Sequence, residues 1–194
     1  MEKTHKITGN GVKLVSGFEG GMRLKPYQDS KGLWTVGVGH LIKAYETDLM
    51  PPNVITMERG EQLFRKDLNI SMALIHSELD VEVTDNQFDA MVSYSFNIGI
   101  GNFLRGTLFR LINEPKETDD AATIKTFWRT HWITGDGASG VGLDWRRYIE
   151  SELYYTADSD TAKIEHLIAL ANAGAPNKDK DSWQQIIEGS SLMS

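Results

Sequence analysis

The chain contains no cysteine among its 194 residues. Disulfides, thiolate nucleophiles and cysteine-based zinc or iron–sulfur sites are therefore excluded. No apolar run approaches the length of a membrane span. Residues 1–6, Met-Glu-Lys-Thr-His-Lys, are not followed by the apolar stretch of a secretory signal. Synthesis in the bacterial cytoplasm without a signal peptide is the resulting expectation. A basic excess is also missing: 20 Lys and Arg stand against 27 Asp and Glu, a formal charge of −7. That balance argues against nucleic acid as a partner and gives no general attraction to anionic walls or membranes. With 40% apolar and 24% charged residues, the composition is that of a soluble globular protein rather than a disordered one.

Val12, Val15 and Phe18, with Leu14, recur at helical spacing over residues 7–19. Thr8 or Asn10 can cap the start, and Gly20 and Gly21 stop the helix. Glu19 thus falls in a last helical turn, where the dipole disfavours a carboxylate. It is either a tolerated surface acid or an acid whose proton is held more tightly. Residues 22–42 change character and predict a small antiparallel sheet, with strands Leu24–Asp29 and Leu33–Val38 joined through Ser30-Lys31-Gly32. Gly37 and Gly39 suggest a bend or a close backbone approach. Residues 43–54 read as loop.

From Thr56 a long helix is predicted to about Glu78, and Thr84 with Gln87 forms a capping-box pattern before Gln87–Ile98. Further helices are expected over Leu104–Ile112, Thr118–Arg129, Leu143–Tyr155 and Thr161–Ala171, with a glycine-rich loop at Thr134–Gly142. The tail from Asn172 is polar and carries the Lys178–Asp181 charge cluster. It reads as loosely ordered, with a short helix near Trp183–Ile187, and as dispensable for activity. One helix, a small sheet and then many helices make an α+β fold with the sheet confined to one end.

Glu19 and Asp29 both lie where secondary structure ends, with Thr35 on the partner strand. Cleaving a glycosidic bond needs a proton donor for the leaving oxygen and a second carboxylate that activates water or attacks the sugar. The donor must hold its proton at working pH, which partial burial favours; the other group must stay ionised. Glu19 beside Phe18 suits the first role, and Asp29 beside Ser30 suits the second. Read alone, two acids ten positions apart would most often be solvated surface groups.

Three ordered motifs change that weighting. Phe18-Glu19-Gly20 with Leu24-Lys25-Pro26-Tyr27-Gln28-Asp29, then Trp34-Thr35-Val36-Gly37-Val38-Gly39-His40, resembles the signature of the phage-type lysozymes, endolysins of glycoside hydrolase family twenty-four. Gln87–Gly99 is similar to the family's central helix, and Gly142-Leu143-Asp144-Trp145-Arg146-Arg147 with Glu150 resembles a late motif. The resemblance covers roughly residues 7–156. It implies a two-lobed lysozyme-like fold: a catalytic domain over 1–156, with a β-lobe at about 22–54 and a helical lobe from 7–21 and 56–156, followed by a helical and polar extension over 157–194. It implies catalytic Glu19, Asp29 and Thr35, the last holding the attacking water. The implied target is the β-1,4 bond between N-acetylmuramic acid and N-acetylglucosamine in peptidoglycan. Nine residues separate Glu19 from Asp29 where the family usually has eight, the extra one being Gly20 or Gly21.

The family's equivalent of His40 pairs with a carboxylate on the long helix, and Asp67 occupies that place, implying an ion pair that ties the lobes together. Arg146 and Arg147 either contact the sugars or the acidic peptide stem, or pair within the helical lobe. Trp128 and Trp132 are core or cleft-wall residues. Gly37-Val38-Gly39 lacks the third glycine of a dinucleotide loop, and Asp158-Ser159-Asp160 lacks the rest of a calcium loop. No metal and no cofactor are expected, and the protein should be a monomer. A lytic transglycosylase or a non-catalytic wall-binding module are the rival readings. Release through a holin as a phage endolysin, or delivery into rival bacteria with an immunity protein as partner, both suit a chain of this kind.

Overall fold

The structure, a computed structural model, describes residues 5–29, 32–133, 141–176, 183 and 186–187. The first helix, α1, spans Gly9–Phe18, and Thr8 is its cap, accepting bonds from the backbone N–H groups of Asn10 and Gly11. Thr8 is itself fixed by Asp89, which accepts from the Thr8 N–H at 2.9 Å and from its hydroxyl. Burial pushes the Asp89 carboxyl up to about 6, against these hydrogen bonds. Gly11 must stay small, because a Cβ there would fall 2.4 Å from Asp89 Cγ.

At the other end of α1, Gly21 N–H bonds Ser16 C=O at 3.0 Å and Gly20 N–H bonds Gly17 C=O at 3.2 Å. This is a Schellman stop with Glu19 as its last half-helical residue. Gly20 and Gly21 take φ of 76° and 77°, a setting that favours glycine. The chain then enters a three-stranded antiparallel sheet in the order β1 (Arg23–Gln28), β2 (Trp34–Gly37), β3 (His40–Leu41). The expected second strand ended at Val38 and no third was foreseen. Gly37 and Gly39, at φ 68° and 69°, instead turn the chain so that Val36 pairs with His40 and Thr35 with Leu41. Ser30, Lys31 and residues 134–140 of the expected glycine-rich loop lie outside the described residues, as does the Lys178–Asp181 cluster.

The long helix α2 (Met57–Glu78) starts on Thr56, as its sequence pattern predicts. Its 22 residues reach about 33 Å. Along that length it serves two cores. Leu63 joins Val36, Ile42, Leu49 and Ile55 beneath the sheet, while Phe64, Leu68 and Ile75 join the main helical core. The centre of the helical lobe is α3 (Asp85–Ile98), started by the Thr84–Gln87 capping box. The Asp158 carboxylate adds to that cap, accepting from Asp85 and Asn86 N–H at 3.1 and 2.9 Å.

One expected helix, Leu104–Ile112, is two: α4 (Ile100–Leu104) and α5 (Thr107–Asn113). Gly106 breaks it with an extended backbone, φ −83° and ψ 156°. Then follow α6 (Ala121–Thr130), α7 (Val141–Tyr154) and α8 (Thr161–Ala173). Among the described residues, no helix is long and apolar enough to cross a membrane.

Residues of α8 share the core with α1 and α7: Ile164, Leu167 and Ala171 pack with Leu14, Val15, Trp145 and Ile149. The described part of the tail is not loose. Trp183 and Ile187 are each 1% exposed. The Trp183 ring meets Trp145 edge-on at 5.2 Å and Tyr148 at 5.6 Å, and His166 Nε2 bonds the Ile186 carbonyl. In packing terms, Trp183, Ile186 and Ile187, the described residues of the tail beyond Pro176, are continuous with the helical lobe. Trp183→Ala should therefore cost about 3–5 kcal/mol of unfolding free energy, as large-to-small core changes do. Urea denaturation checks this; an unchanged midpoint would return the tail to the status of an appendage.

Candidate active site

Because α1 stops at Glu19, its side chain emerges at the junction of helix and sheet. Oε1 accepts a bond from Arg146 Nη1 at 2.7 Å. Oε2 faces the Gly39 turn, where a Cβ would come within 3.1 Å of it and 3.5 Å of Phe96 Cε1. Gly39 is thus small for two reasons, its backbone setting and the carboxylate it must admit. The side chain of Glu19 is 21% exposed, so the acid opens to solvent while being held from within.

Asp29 follows directly after β1. Its Oδ1 accepts from the Leu33 N–H at 2.8 Å, and its own N–H bonds the Leu33 carbonyl. Thr35 pairs across the sheet with Tyr27. Tyr27 and Thr35 are cross-strand partners and share one face, opposite Val36. The Thr35 hydroxyl donates to the Leu33 carbonyl at 3.2 Å, which leaves its oxygen to accept. Tyr27 joins the two acids. Its hydroxyl is raised above its ordinary value of 10.0, first by burial, with Arg23 opposing and both Glu19 and Asp29 adding to it. One phenol therefore lies within electrostatic reach of both carboxylates.

Behind Glu19 lies an alternating chain of buried charge. Arg146 also donates to Glu150 Oε1 at 2.9 Å and to the Ser93 carbonyl at 2.8 Å. Glu150 is fully buried and also accepts from Arg147, from the Ser93 hydroxyl at 2.7 Å and from Trp128 Nε1 at 3.4 Å. Arg147 reaches on to Asn97 Oδ1 and lies 4.1 Å over the Tyr94 ring. Burial works against the charge of Arg146, but Glu19 and Glu150 outweigh it and its pKa is raised. For Arg147 burial prevails and the pKa is lowered. Arg146 and Arg147 are 3% and 0% exposed and make their pairs within the helical lobe, the second of the two arrangements the sequence left open, and Arg146 holds Glu19.

His40 is buried with a carboxylate on each ring nitrogen. Asp67 Oδ2 stands 2.7 Å from Nδ1, and Glu46 Oε2 stands 3.0 Å from Nε2. Both nitrogens can donate at once only in the imidazolium, the form that two carboxylate partners favour. Burial opposes that charge, but Asp67 and Glu46 raise the pKa above 6.5 overall. Burial likewise works to raise Glu46, yet the Lys43 N–H, His40 and Lys66 leave it lowered from 4.5. Asp67 was expected from the family pattern. Glu46 was missed, although a Glu six positions after a histidine in a loop-forming stretch is a readable hint. Among the described residues, no group of three His, Asp or Glu side chains could hold a metal ion.

Residues 17–150 match the family described as phage lysozyme. This chain belongs to the phage lysozyme family. It is 34% identical over 151 residues to the endolysin of Acyrthosiphon pisum secondary endosymbiont phage 1, covering 78% of this chain and 99% of the relative. It is 33% identical over 151 residues to the endolysin of Bacillus phage PZA, where the match covers 77% of this chain but only 55% of that protein. Among solved structures, the muramidase domain of SpmX from Asticaccaulis excentricus superposes with a TM-score of 0.64 at 30% identity, over 79% of this chain and 99% of the domain. The α+β lysozyme-like fold is therefore shared, with its helical lobe and small sheet lobe.

The signs of the His40 and Glu46 shifts define a pH window for the lobe tie. A raised histidine adds stability below its unfolded value of 6.5 and loses it as pH rises through the folded value. A lowered Glu adds stability above 4.5 and loses it as pH falls through its folded value. The melting-temperature difference between wild type and His40→Ala should be largest between these values and shrink on both sides. A difference independent of pH would exclude the charged tie.

A second test addresses the buried chain of charge. Glu150→Ala strands two guanidinium groups in the interior, and loss of one partner of a buried pair costs about 3–5 kcal/mol. Denaturant unfolding should register a loss of that order; a loss below about 1 kcal/mol would mean that Arg146 and Arg147 do not depend on Glu150.

Proposed function

We propose that this chain hydrolyses the β-1,4 bond between N-acetylmuramic acid and N-acetylglucosamine in peptidoglycan, with Glu19 as general acid, Asp29 as base toward water and Thr35 as the acceptor that holds that water. The observations supporting this reading are that Glu19 leaves the end of α1 with Oε1 held by Arg146 and Oε2 open beside Gly39, and that Thr35 pairs with Tyr27 on the strand that follows Asp29 and Leu33. Arg146 occupies Oε1 of Glu19, so Oε2, beside Gly39, is the oxygen that carries the proton to the leaving sugar oxygen. The Leu33 N–H orients Asp29, and the committed Thr35 hydroxyl proton turns its oxygen toward water as an acceptor. Water attacks the anomeric carbon as Asp29 takes its proton, and the sugar–oxygen bond breaks as Glu19 gives up its own.

The place of action on this reading is the bacterial cell wall. A holin gene beside the coding sequence would mark a lysis enzyme; an immunity gene would mark a weapon against rival bacteria, delivered by a secretion machine.

Glu19→Gln keeps size and most hydrogen bonding but cannot deliver a proton, so turnover should fall by about 10²–10⁴-fold or more. Asp29→Asn should be similarly damaging, and Thr35→Ala less so, since water can partly find its own geometry. The measurement is muropeptide release from purified peptidoglycan, with circular dichroism confirming each fold. A folded Glu19→Gln protein working near the wild-type rate would remove the assignment.

A further inference from the structure

Of five tryptophans, Trp128, Trp145 and Trp183 are 0–1% exposed and Trp34 is partly buried, whereas Trp132 is 50% exposed. Its backbone is unusual as well. Among the described residues, Trp132 is the one non-glycine with positive φ, at 57°. A bulky side chain in the left-handed region costs about 1–2 kcal/mol. Nothing in the hydrophobic core repays that, because the indole lies outside it. Such a setting persists where surrounding contacts dictate it, and it collects at ligand sites.

The contact that dictates it leads back to the catalytic acid. The Trp132 carbonyl accepts from Arg147 Nε at 3.4 Å. The same guanidinium holds Asn97 at the C-terminal end of α3 and Glu150 in the interior. Phe96, the neighbour of Asn97, borders the Gly39 turn against which Glu19 Oε2 rests. Trp132 is thus one guanidinium away from the helix end that walls the Glu19 side of the site. Just before it in the chain, Phe127 and the exposed His131 stack at 3.6 Å with 10° between their planes. The His131 ring is fixed further by bonds to the Thr130 hydroxyl and the Phe127 carbonyl.

We propose that Trp132 is a sugar-binding residue, a stacking platform on the helical-lobe rim for a pyranose ring of the glycan strand. A pyranose presents a face of C–H groups, and an exposed indole offers the matching π surface. The inference rests on the glycan-cleaving reading of the site, and it places one sugar away from the scissile bond. Trp132 touches substrate by binding and takes no part in the proton transfers.

The experiment uses the full chain and soluble, uncross-linked strands of alternating N-acetylglucosamine and N-acetylmuramic acid. Trp132→Ala should raise KM about three- to tenfold while kcat stays within about twofold, the mark of uniform binding lost. Trp132→Phe should restore most of the affinity, yet abolish the change in tryptophan fluorescence that the strands produce in the wild type. Trp132→Gly, whose backbone accepts φ 57° freely, should share the KM defect of the alanine variant while being at least as stable in thermal unfolding. An unchanged KM in the alanine variant, or a fluorescence response that survives in the phenylalanine variant, overturns the proposal. The same titration on Glu19→Gln separates the two readings. A fluorescence response without turnover supports both, whereas turnover in that variant removes the catalytic assignment and leaves the Trp132 result standing.

Discussion

A single guanidinium, that of Arg146, draws three helices onto one point. It takes Glu19 from the end of α1, the Ser93 carbonyl from α3 and Glu150 from its own helix, α7. Burying a cation without such partners would be prohibitive, and losing one of them would be costly. Glu150 extends the constraint by sharing its second oxygen with Arg147. The result is an alternation of acidic and basic side chains running from the solvent-facing Glu19 into a dry interior. Glu19 is placed by that alternation from behind, while the Schellman turn at Gly20 places it along the chain.

The sheet lobe is positioned by different means. Its own core is small, five buried side chains with α2 supplying one of them. A core of that size needs other ties to the helical lobe, and His40 provides one by joining the Gly39 turn to Asp67 on α2 and to Glu46 in the following loop. Gly60 provides another, since a Cβ there would lie 2.3 Å from Met22 Sδ. The Gly37 backbone packs against Gly60 as well, a Cβ at Gly37 falling 3.7 Å from its Cα. Asp29 and Thr35 ride on this lobe, so their distance from Glu19 is governed by contacts made at His40, Met22 and Gly60. Stability and catalytic geometry are therefore linked through residues that touch no substrate.

Much of this was legible in the residues themselves. The stop at Gly20 and Gly21, the Thr56 start and the Thr84–Gln87 box are local signals, each decided within one turn of helix, and each appears where its pattern places it. Glu19, Asp29 and Thr35 stand out through motif spacing, and His40 with Asp67 through the family pattern. Partners distant in sequence were harder to read. Arg146 and Glu150 form an ordinary i,i+4 pair on paper; that the same arginine spans 127 positions to Glu19 is a property of packing. Trp128 and Trp132 lie four residues apart in one aromatic stretch, yet one is core and the other exposed, because α6 ends at Thr130 between them. In the polar tail the burial of Trp183 and Ile187 was not legible either, because burial is decided by the few apolar groups that find a partner rather than by overall composition.

On the proposed mechanism, water receives the sugar, activated by Asp29 while Glu19 protonates the leaving oxygen. The most direct test is digestion of purified peptidoglycan by the wild-type protein in heavy-oxygen water, with mass spectrometry of the released fragments. Hydrolysis predicts N-acetylmuramic acid at each new reducing end, carrying one heavy oxygen from the solvent. Unlabelled fragments ending in an internal anhydro sugar would contradict the account, because they would mean that the sugar's own hydroxyl, rather than water, completes the reaction.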